Sequence, residues 1–128
     1  GTLDGVAKAL KEKFPGVRII GAEPASARYP LSEGYTSVPG FTEHVTGGII
    51  KEMMGSGLVD EVVKVSNENA IAMSDRLVRE EGLFCGVSSG ANVYLALKVA
   101  EALGRGKRVT TLLPDSRDRY LTEKKYTT

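Results

Sequence analysis

The sequence predicts an α/β fold in which helices cover both faces of a mainly parallel sheet, giving a three-layer sandwich. One pattern along the chain leads to this prediction. Short runs rich in β-branched residues alternate along the chain with segments whose apolar residues recur at helical spacing. The length of 128 residues suits one unit with a buried core, so residues 1–128 are expected to form a single α/β domain.

The chain opens with a helical pattern that stops at a Pro-Gly pair. Thr2 is placed to cap this helix, and four apolar residues share one of its faces: Leu3, Val6, Leu10 and Phe14. The β-branched run 17–23 is predicted to be a buried strand. Residues 24–39 are predicted to be a surface loop, because Pro, Ser, Gly and Tyr occur there without a sustained period. A short helix is expected at 49–54.

The second half of the chain predicts strands alternating with helices. Strands are expected at 61–65, 83–87 and 108–114. After the first of these, Ser66 is expected to cap a helix that Gly82 ends. Another helix is predicted at 89–103, with Gly104 closing it.

Charge and composition exclude several classes of function. The 17 basic and 16 acidic residues are interspersed, so there is no electrostatic case for binding nucleic acid or an acidic membrane. The absence of a signal-like or spanning apolar run predicts a cytoplasmic protein. The single cysteine, Cys85, cannot form a disulfide within the chain and is expected to be a buried core residue. With one histidine, His44, it makes a poor set of metal ligands, so no metal is expected.

The stretch GVSSG at residues 86–90 joins a predicted strand to a predicted helix, and three interpretations are open. It matches the G-x-S-x-G pattern of a serine nucleophile, but that fold needs a histidine downstream, and His44 lies upstream. The two glycines, Gly86 and Gly90, can instead permit a tight turn and close packing while Ser88 or Ser89 caps the helix. A turn at the carboxyl end of a parallel strand also suits a ligand, to which Ser88 would offer its hydroxyl.

Three long stretches resemble one enzyme family. GTLDGVAKALKEKFPGVRIIGAEP resembles the family stretch that runs from a phosphate loop, GTGGT, through a helix ending in LKEK to a strand ending in GVEP. LVDEVVKVSNENAIAMSDRLVREEGLFCGVSSGANVYLALKVA resembles its later strand, helix and GISSGA turn, and LLPDSRDRYLT resembles its closing PDSGERYLS. The chain is therefore similar to the C-terminal part of the cysteine synthase and cystathionine β-synthase family, pyridoxal-phosphate enzymes with the tryptophan-synthase β-subunit fold (fold type II).

The resemblance implies a site for pyridoxal 5'-phosphate (PLP). Ser88 matches the family serine that hydrogen-bonds the pyridine nitrogen of the cofactor, in a turn that begins at Gly86. Gly1 and Thr2 match the last two residues of the phosphate loop, although Thr2 also suits an ordinary helix cap. Asp115 follows the last predicted strand on the same sheet edge as Ser88, so it is expected near the cofactor ring, with a simple Asx turn as the alternative.

The reaction implied by the resemblance is β-replacement. The enzyme would make L-cysteine from sulfide and an activated serine, O-acetylserine or O-phosphoserine. A serine hydroxyl on the ring nitrogen does not hold the pyridinium proton as a carboxylate does, which suits α,β-elimination. The alternatives are a cystathionine β-synthase, or a catalytically silent fragment that acts as a binding module. The family is usually homodimeric, so a homodimer is expected.

Half of the family pattern has no counterpart in the sequence. The lysine that forms a Schiff base with the cofactor precedes the first residue of this chain in the family order, and the lysines of the first helix lie on its solvated face. The chain is therefore expected to be an incomplete cofactor-binding domain without catalytic residues of its own, inactive apart from the remainder of the enzyme. HVTGGIIKEMM, around Gly47 and Gly48, departs from the family pattern QGIGAGFIP, so no substrate contact is assigned there.

Overall fold

A computed structural model describes residues 2–24 and 56–120 of the chain. Its helices and strands, in chain order, are α1 (Thr2–Lys13), β1 (Ile20–Pro24), β2 (Glu61–Val65), α2 (Asn67–Glu81) and α3 (Val87–Leu103), followed by a short 3-10 helix at Arg117–Tyr120. The helix expected at 49–54 and most of the loop expected at 24–39 lie outside the described residues, as do Gly1, His44, Gly47 and Gly48.

The two strands form a parallel sheet with a helical layer on each face. Strands β1 and β2 pair in parallel, with Ile20 opposite Glu61 and Pro24 opposite Val65. On one face, Val65 is buried in a cluster with residues of α2 and α3. On the other face, Val62 of β2 packs against a second cluster, which contains Ala7 of α1. Alternate strand residues thus face opposite helical layers, as a strand covered on both sides requires, and the predicted three-layer α/β fold is confirmed.

Helices α2 and α3 pack closely enough to bring their backbones together. A Cβ atom built on Gly90 would lie 2.0 Å from the carbonyl oxygen of Ala70 and 2.8 Å from the amide nitrogen of Ser74. Only glycine fits this contact, so one of the two glycines of GVSSG has a packing role, as one interpretation of the motif expected.

The predicted ends of α2 are confirmed. The Ser66 hydroxyl accepts the Asn69 N–H at 3.1 Å, the usual geometry of an N-cap. Gly82 closes the helix in the left-handed conformation, with φ at 68°, and its N–H bonds to the last turn. Both signals are local, which is why the sequence alone predicts them.

Two predicted strands are wrong. In the run 83–87 only Cys85 makes a bridge, an isolated antiparallel one to Ser116, and α3 already begins at Val87. The run 108–114 forms no strand, and its Leu112 is 45% exposed. Both runs have the apolar, β-branched composition of strands, but a strand also needs a neighbour for its backbone groups. Within 2–24 and 56–120, the run 83–87 is paired only by the short stretch 115–117, and the run 108–114 has no backbone neighbour.

The observed starts of two helices also differ from the predicted ones. Helix α3 begins at Val87 instead of residue 89, so Ser88 lies in its first turn and Gly86 is the N-cap residue. Helix α1 begins at Thr2 itself, which is therefore its first residue and not its cap. Phe14 lies beyond the last residue of α1 and is 54% exposed, so it does not extend the apolar face of the helix.

Candidate functional site

The candidate site is the turn that leads into α3. The backbone of Gly86 is extended, and its carbonyl oxygen accepts the N–H of Gly90 at 3.2 Å, which starts the helix. Gly86 has no side chain with which to cap the free N–H groups of the first turn. The positive end of the α3 dipole therefore points toward the turn, a favourable place for an electron-rich ligand atom.

Ser88 lies in this first turn and meets Asp115 from the end of the chain. Its hydroxyl donates to the Asp115 carboxylate across 3.4 Å, a long and weak hydrogen bond. The N–H of Gly86 donates to the backbone oxygen of Asp115 at 3.3 Å. The Ser88 and Asp115 side chains are half-buried. The structure thus brings together three of the five residues that the sequence singled out.

Of the other two predicted site residues only Thr2 is described, and it is not joined to this turn. Thr2 is exposed at the start of α1 and makes no hydrogen bond to the Ser88 turn among the described residues. Gly1 lies outside the described residues. Their place at a helix N-terminus suits a phosphate, but no described contact links that end of α1 to α3.

The segment that carries Asp115 runs antiparallel to the segment that leads into the turn. The Arg117 N–H donates to the Phe84 carbonyl oxygen at 3.2 Å, and the Ser116 hydroxyl donates to the same oxygen, also at 3.2 Å. Together with the bond from Gly86 to Asp115, these contacts hold residues 115–117 against residues 84–86 over three consecutive residues. The position of Asp115 beside Ser88 is therefore set by backbone pairing.

A buried arginine, which the sequence analysis missed, completes this junction. Arg117 is 8% exposed, and its Nε donates to the Cys85 carbonyl oxygen at 3.3 Å. One terminal nitrogen donates to the Ser74 hydroxyl, and the other pairs with the Asp75 carboxylate at 2.8 Å. Its guanidinium carbon lies 5.8 Å from the centre of the Phe84 ring. The available signal was the quoted closing motif, in which this chain has arginine where PDSGERYLS has glycine.

The one cysteine of the chain lies beside the turn but is part of the core. Cys85 is 4% exposed and packs with Met73 and Leu77, so it is the core residue that the sequence predicts. Within the described ranges no three His, Cys, Asp or Glu residues gather into a metal site, and no helix is long and apolar enough to cross a membrane.

The Ser88 turn fits the ring nitrogen of PLP. A neutral hydroxyl both donates and accepts, so it can meet the nitrogen whether or not it carries a proton. The half-buried position leaves the hydroxyl open to a ligand, and its one described hydrogen bond, to Asp115, is weak enough to be rearranged. The donor set at the turn is therefore chemically suited to this cofactor.

Comparison with known proteins places these features in a family. Cysteine synthases of Staphylococcus aureus strains Mu50 and N315 are 38% identical to the chain over 126 residues, which is 98% of this chain and 40% of theirs. The chain thus spans about 40% of the length of these relatives. Their similarity extends over both described parts of the chain.

Solved structures of similar proteins superpose on nearly the whole of this chain. O-ureido-L-serine synthase superposes with a TM-score of 0.79 at 33% identity, covering 98% of this chain and 39% of that one. Cysteine synthase from Entamoeba histolytica gives 0.77 at 33% identity, with 99% and 37% covered. O-acetylserine dependent cystathionine β-synthase from Helicobacter pylori gives 0.71 at 32% identity, with 98% and 40% covered. A model of the pyridoxal-phosphate dependent enzymes matches residues 1–115, and with the resemblance confirmed in this way the chain belongs to that family.

Proposed function

We propose that this chain is the C-terminal portion of a PLP-dependent cysteine synthase, which makes L-cysteine from sulfide and O-acetylserine or O-phosphoserine by β-replacement. The observation that carries the proposal is the Ser88 turn, where a half-buried hydroxyl lies at the start of α3 beside Asp115. The 38% identity to cysteine synthases of Staphylococcus aureus supports this choice within the family.

The residues of the turn would hold and orient the cofactor ring. PLP, when bound, supplies the electron sink that lets the β-substituent of an amino acid leave. The Ser88 hydroxyl would donate to the ring nitrogen in place of its weak 3.4 Å hydrogen bond to Asp115. Gly86 ties Asp115 to the turn through its N–H. Because a hydroxyl places no negative charge on the nitrogen, the ring remains a moderate electron sink, which suits elimination.

The proposal has further parts that rest on the resemblance. Gly1 and Thr2 would bind the phosphate at the start of α1, where free N–H groups favour an anion. The remainder of the enzyme would supply the lysine that holds the cofactor, and the intact protein would work in the cytoplasm as a homodimer. Residues 1–128 would then be most of one cofactor-binding domain.

The first test is PLP binding and cysteine formation by the full-length protein. A hydrogen bond between neutral groups is worth about 0.5–1.5 kcal/mol, so Ser88→Ala is expected to weaken PLP binding about two- to tenfold. Cysteine formation from O-acetylserine and sulfide is expected to fall with it. Ser88→Thr keeps the hydroxyl and is the matched control, with binding close to that of the wild type. Equal PLP affinity in Ser88→Ala and wild type would contradict the role of Ser88.

A second activity is favoured by one structural neighbour. The cystathionine β-synthase of Helicobacter pylori is described as O-acetylserine dependent and superposes with a TM-score of 0.71. Supplying homocysteine in place of sulfide distinguishes the two enzymes, because faster consumption of O-acetylserine with homocysteine would favour that alternative. A full-length protein that takes up no PLP would instead favour a binding module.

A further inference from the structure

We propose that Arg117 is a positioning residue for the Ser88 turn. Its guanidinium, reaching across from the closing segment of the chain, holds the peptide that leads into α3 and so fixes where the Ser88 hydroxyl meets the cofactor. This role rests on the proposed function of Ser88. It also goes beyond the family pattern quoted above, which has glycine at the position of Arg117.

The peptide unit between Cys85 and Gly86 is held at both of its polar ends. Its carbonyl oxygen accepts two hydrogen bonds, from Arg117 Nε at 3.3 Å and from the Ser74 hydroxyl at 2.9 Å. Its N–H donates to the backbone oxygen of Asp115 at 3.3 Å. Because a peptide unit is planar, bonds at both ends determine the orientation of the whole plane.

The orientation of this peptide sets the start of α3. Gly86 is the N-cap residue, and its own carbonyl accepts the first hydrogen bond of the helix, from Gly90. Ser88 follows two residues later, within the first turn. A rotation of the peptide before Gly86 would therefore shift the first turn and carry the Ser88 hydroxyl away from its present place beside Asp115.

Arginine is the side chain that this arrangement requires. The three guanidinium nitrogens contact three different groups: the Cys85 carbonyl, the Ser74 hydroxyl and the Asp75 carboxylate. The guanidinium is planar, so these contacts also orient it rigidly, whereas the lysine ammonium is a single point of charge on a flexible stem. Lysine at this position can keep the pair with Asp75 but not the bond to the Cys85 carbonyl at the same time.

A purely structural role for Arg117 makes a different prediction. An arginine that only stabilised the fold would, when replaced, lower the melting temperature of the apo-protein and of the PLP-bound protein equally. A positioning residue affects the difference between the two states, because a ligand raises the melting temperature according to its affinity for the folded protein. PLP affinity and the PLP-induced rise in melting temperature therefore separate the two roles.

The test uses the full-length protein with Arg117→Lys. PLP affinity is measured by titrating the apo-protein and following cofactor fluorescence, and melting temperatures are taken with and without PLP. We expect PLP to bind about tenfold more weakly, the size of one lost hydrogen bond, with a smaller PLP-induced rise in melting temperature and a shifted absorption maximum of the bound cofactor. Arg76→Lys is the matched control, because Arg76 pairs with Glu80 on the exposed face of α2 and does not touch the turn.

If Arg117→Lys does not fold, the milder variant Asp75→Asn can be tested in its place. Asp75 is 42% exposed, so Asp75→Asn leaves the core intact while weakening the hold on Arg117, and a smaller loss of PLP affinity in the same direction is expected. Wild-type PLP affinity and absorption in both variants would overturn the role of Arg117, whatever their melting temperatures. Failure of the wild type itself to bind PLP would overturn the proposed function and this role with it, so the two failures are distinguishable.

Discussion

At the scale of single residues, Asp60 shows how one side chain can join three elements. Its carboxylate accepts the backbone N–H of Ile19, just before β1, at 2.7 Å. The same oxygen pairs with the ammonium of Lys11 on α1, also at 2.7 Å. Asp60 immediately precedes β2, so these contacts connect the first helix and both strands. The Ile19 N–H, with help from Lys11, holds the pKa of the Asp60 carboxyl below its ordinary value of 3.8.

This lowered pKa predicts a pH dependence of stability. A carboxyl whose pKa is lower in the folded state stabilises the fold above its unfolded pKa, and the contribution is lost as the pH falls through the folded pKa. Asp60 should thus contribute fully above about pH 5 and lose its contribution in acid, below its ordinary pKa of 3.8. Asp60→Asn is expected to flatten the acid limb of a plot of urea midpoint against pH.

The contributions of Ile19 and Lys11 to the lowered pKa of Asp60 can be separated with a second variant. Lys11→Met removes the ion pair but leaves the Ile19 hydrogen bond, which is the larger cause, so it should keep most of the acid dependence. An acid limb as steep in Asp60→Asn as in the wild type would show that other carboxyl groups cause it.

At the scale of elements, the contact between α2 and α3 determines the geometry of the site. Gly90 lets the α3 backbone approach Ala70 and Ser74. This approach brings the Ser74 hydroxyl within 2.9 Å of the Cys85 carbonyl oxygen, at the turn itself. The buried Ser89 hydroxyl, which has no partner among the described residues, lies in the same first turn of α3. Helix packing and turn geometry are therefore coupled.

Gly90→Ala is expected to disturb both the packing of α2 on α3 and the geometry of the turn. Its new methyl group would lie 2.0 Å from a backbone oxygen, so the two helices must move apart. Forced overpacking of this kind costs about 1–3 kcal/mol, and the same shift should weaken PLP binding in the full-length protein. The matched control is Gly5→Ala on α1, where a Cβ meets nothing within 4 Å. That change should stabilise the protein by about 0.5–1 kcal/mol in urea unfolding, since alanine favours helix. Equal free energies of unfolding for the two variants would contradict the close contact.

At the scale of the whole molecule, an apolar segment at residues 108–113 has no paired strand within the described part of the chain. Leu112 and Leu113 are 45% and 41% exposed, and nearby Phe84 is 45% exposed. The backbone N–H groups of residues 108–113 form no hydrogen bond within the described part of the chain. Unpaired strand-like backbone beside exposed apolar side chains is an edge that needs covering. In the proposed intact enzyme, the remainder of the protein would pair with it.

Hydrogen exchange can test whether residues 108–113 pair with the remainder of the enzyme. Amides of residues 108–113 are expected to exchange rapidly in the isolated 128-residue chain and slowly in the full-length protein, because pairing into a sheet protects them. The amides of α2 serve as the internal control, since they are already hydrogen-bonded within the helix and should be protected in both proteins. Rapid exchange of residues 108–113 in both proteins would contradict pairing of this segment.

Features that depend on neighbouring residues could be read from the sequence. The alternation of strands and helices, the caps Ser66 and Gly82 and the run 61–65 could all be predicted, because each is encoded within a few residues. The placement of Ser88 in a turn at a helix start followed from the same local pattern. The cofactor role proposed for Ser88 rests on the resemblance, since GVSSG alone was compatible with a plain turn.

Features that depend on residues distant in the chain emerge only from the three-dimensional packing. Composition suggested strands at 83–87 and 108–114, yet a strand exists only where another segment satisfies its N–H and C=O groups. Residues 115–117 do so for only part of the first run, and no described segment does so for the second. The burial of Arg117 likewise depends on Ser74 and Asp75, more than forty residues away in the chain. An arginine in a polar tail has no local signal for burial, because its charge is tolerated inside only when three-dimensional packing supplies its partners.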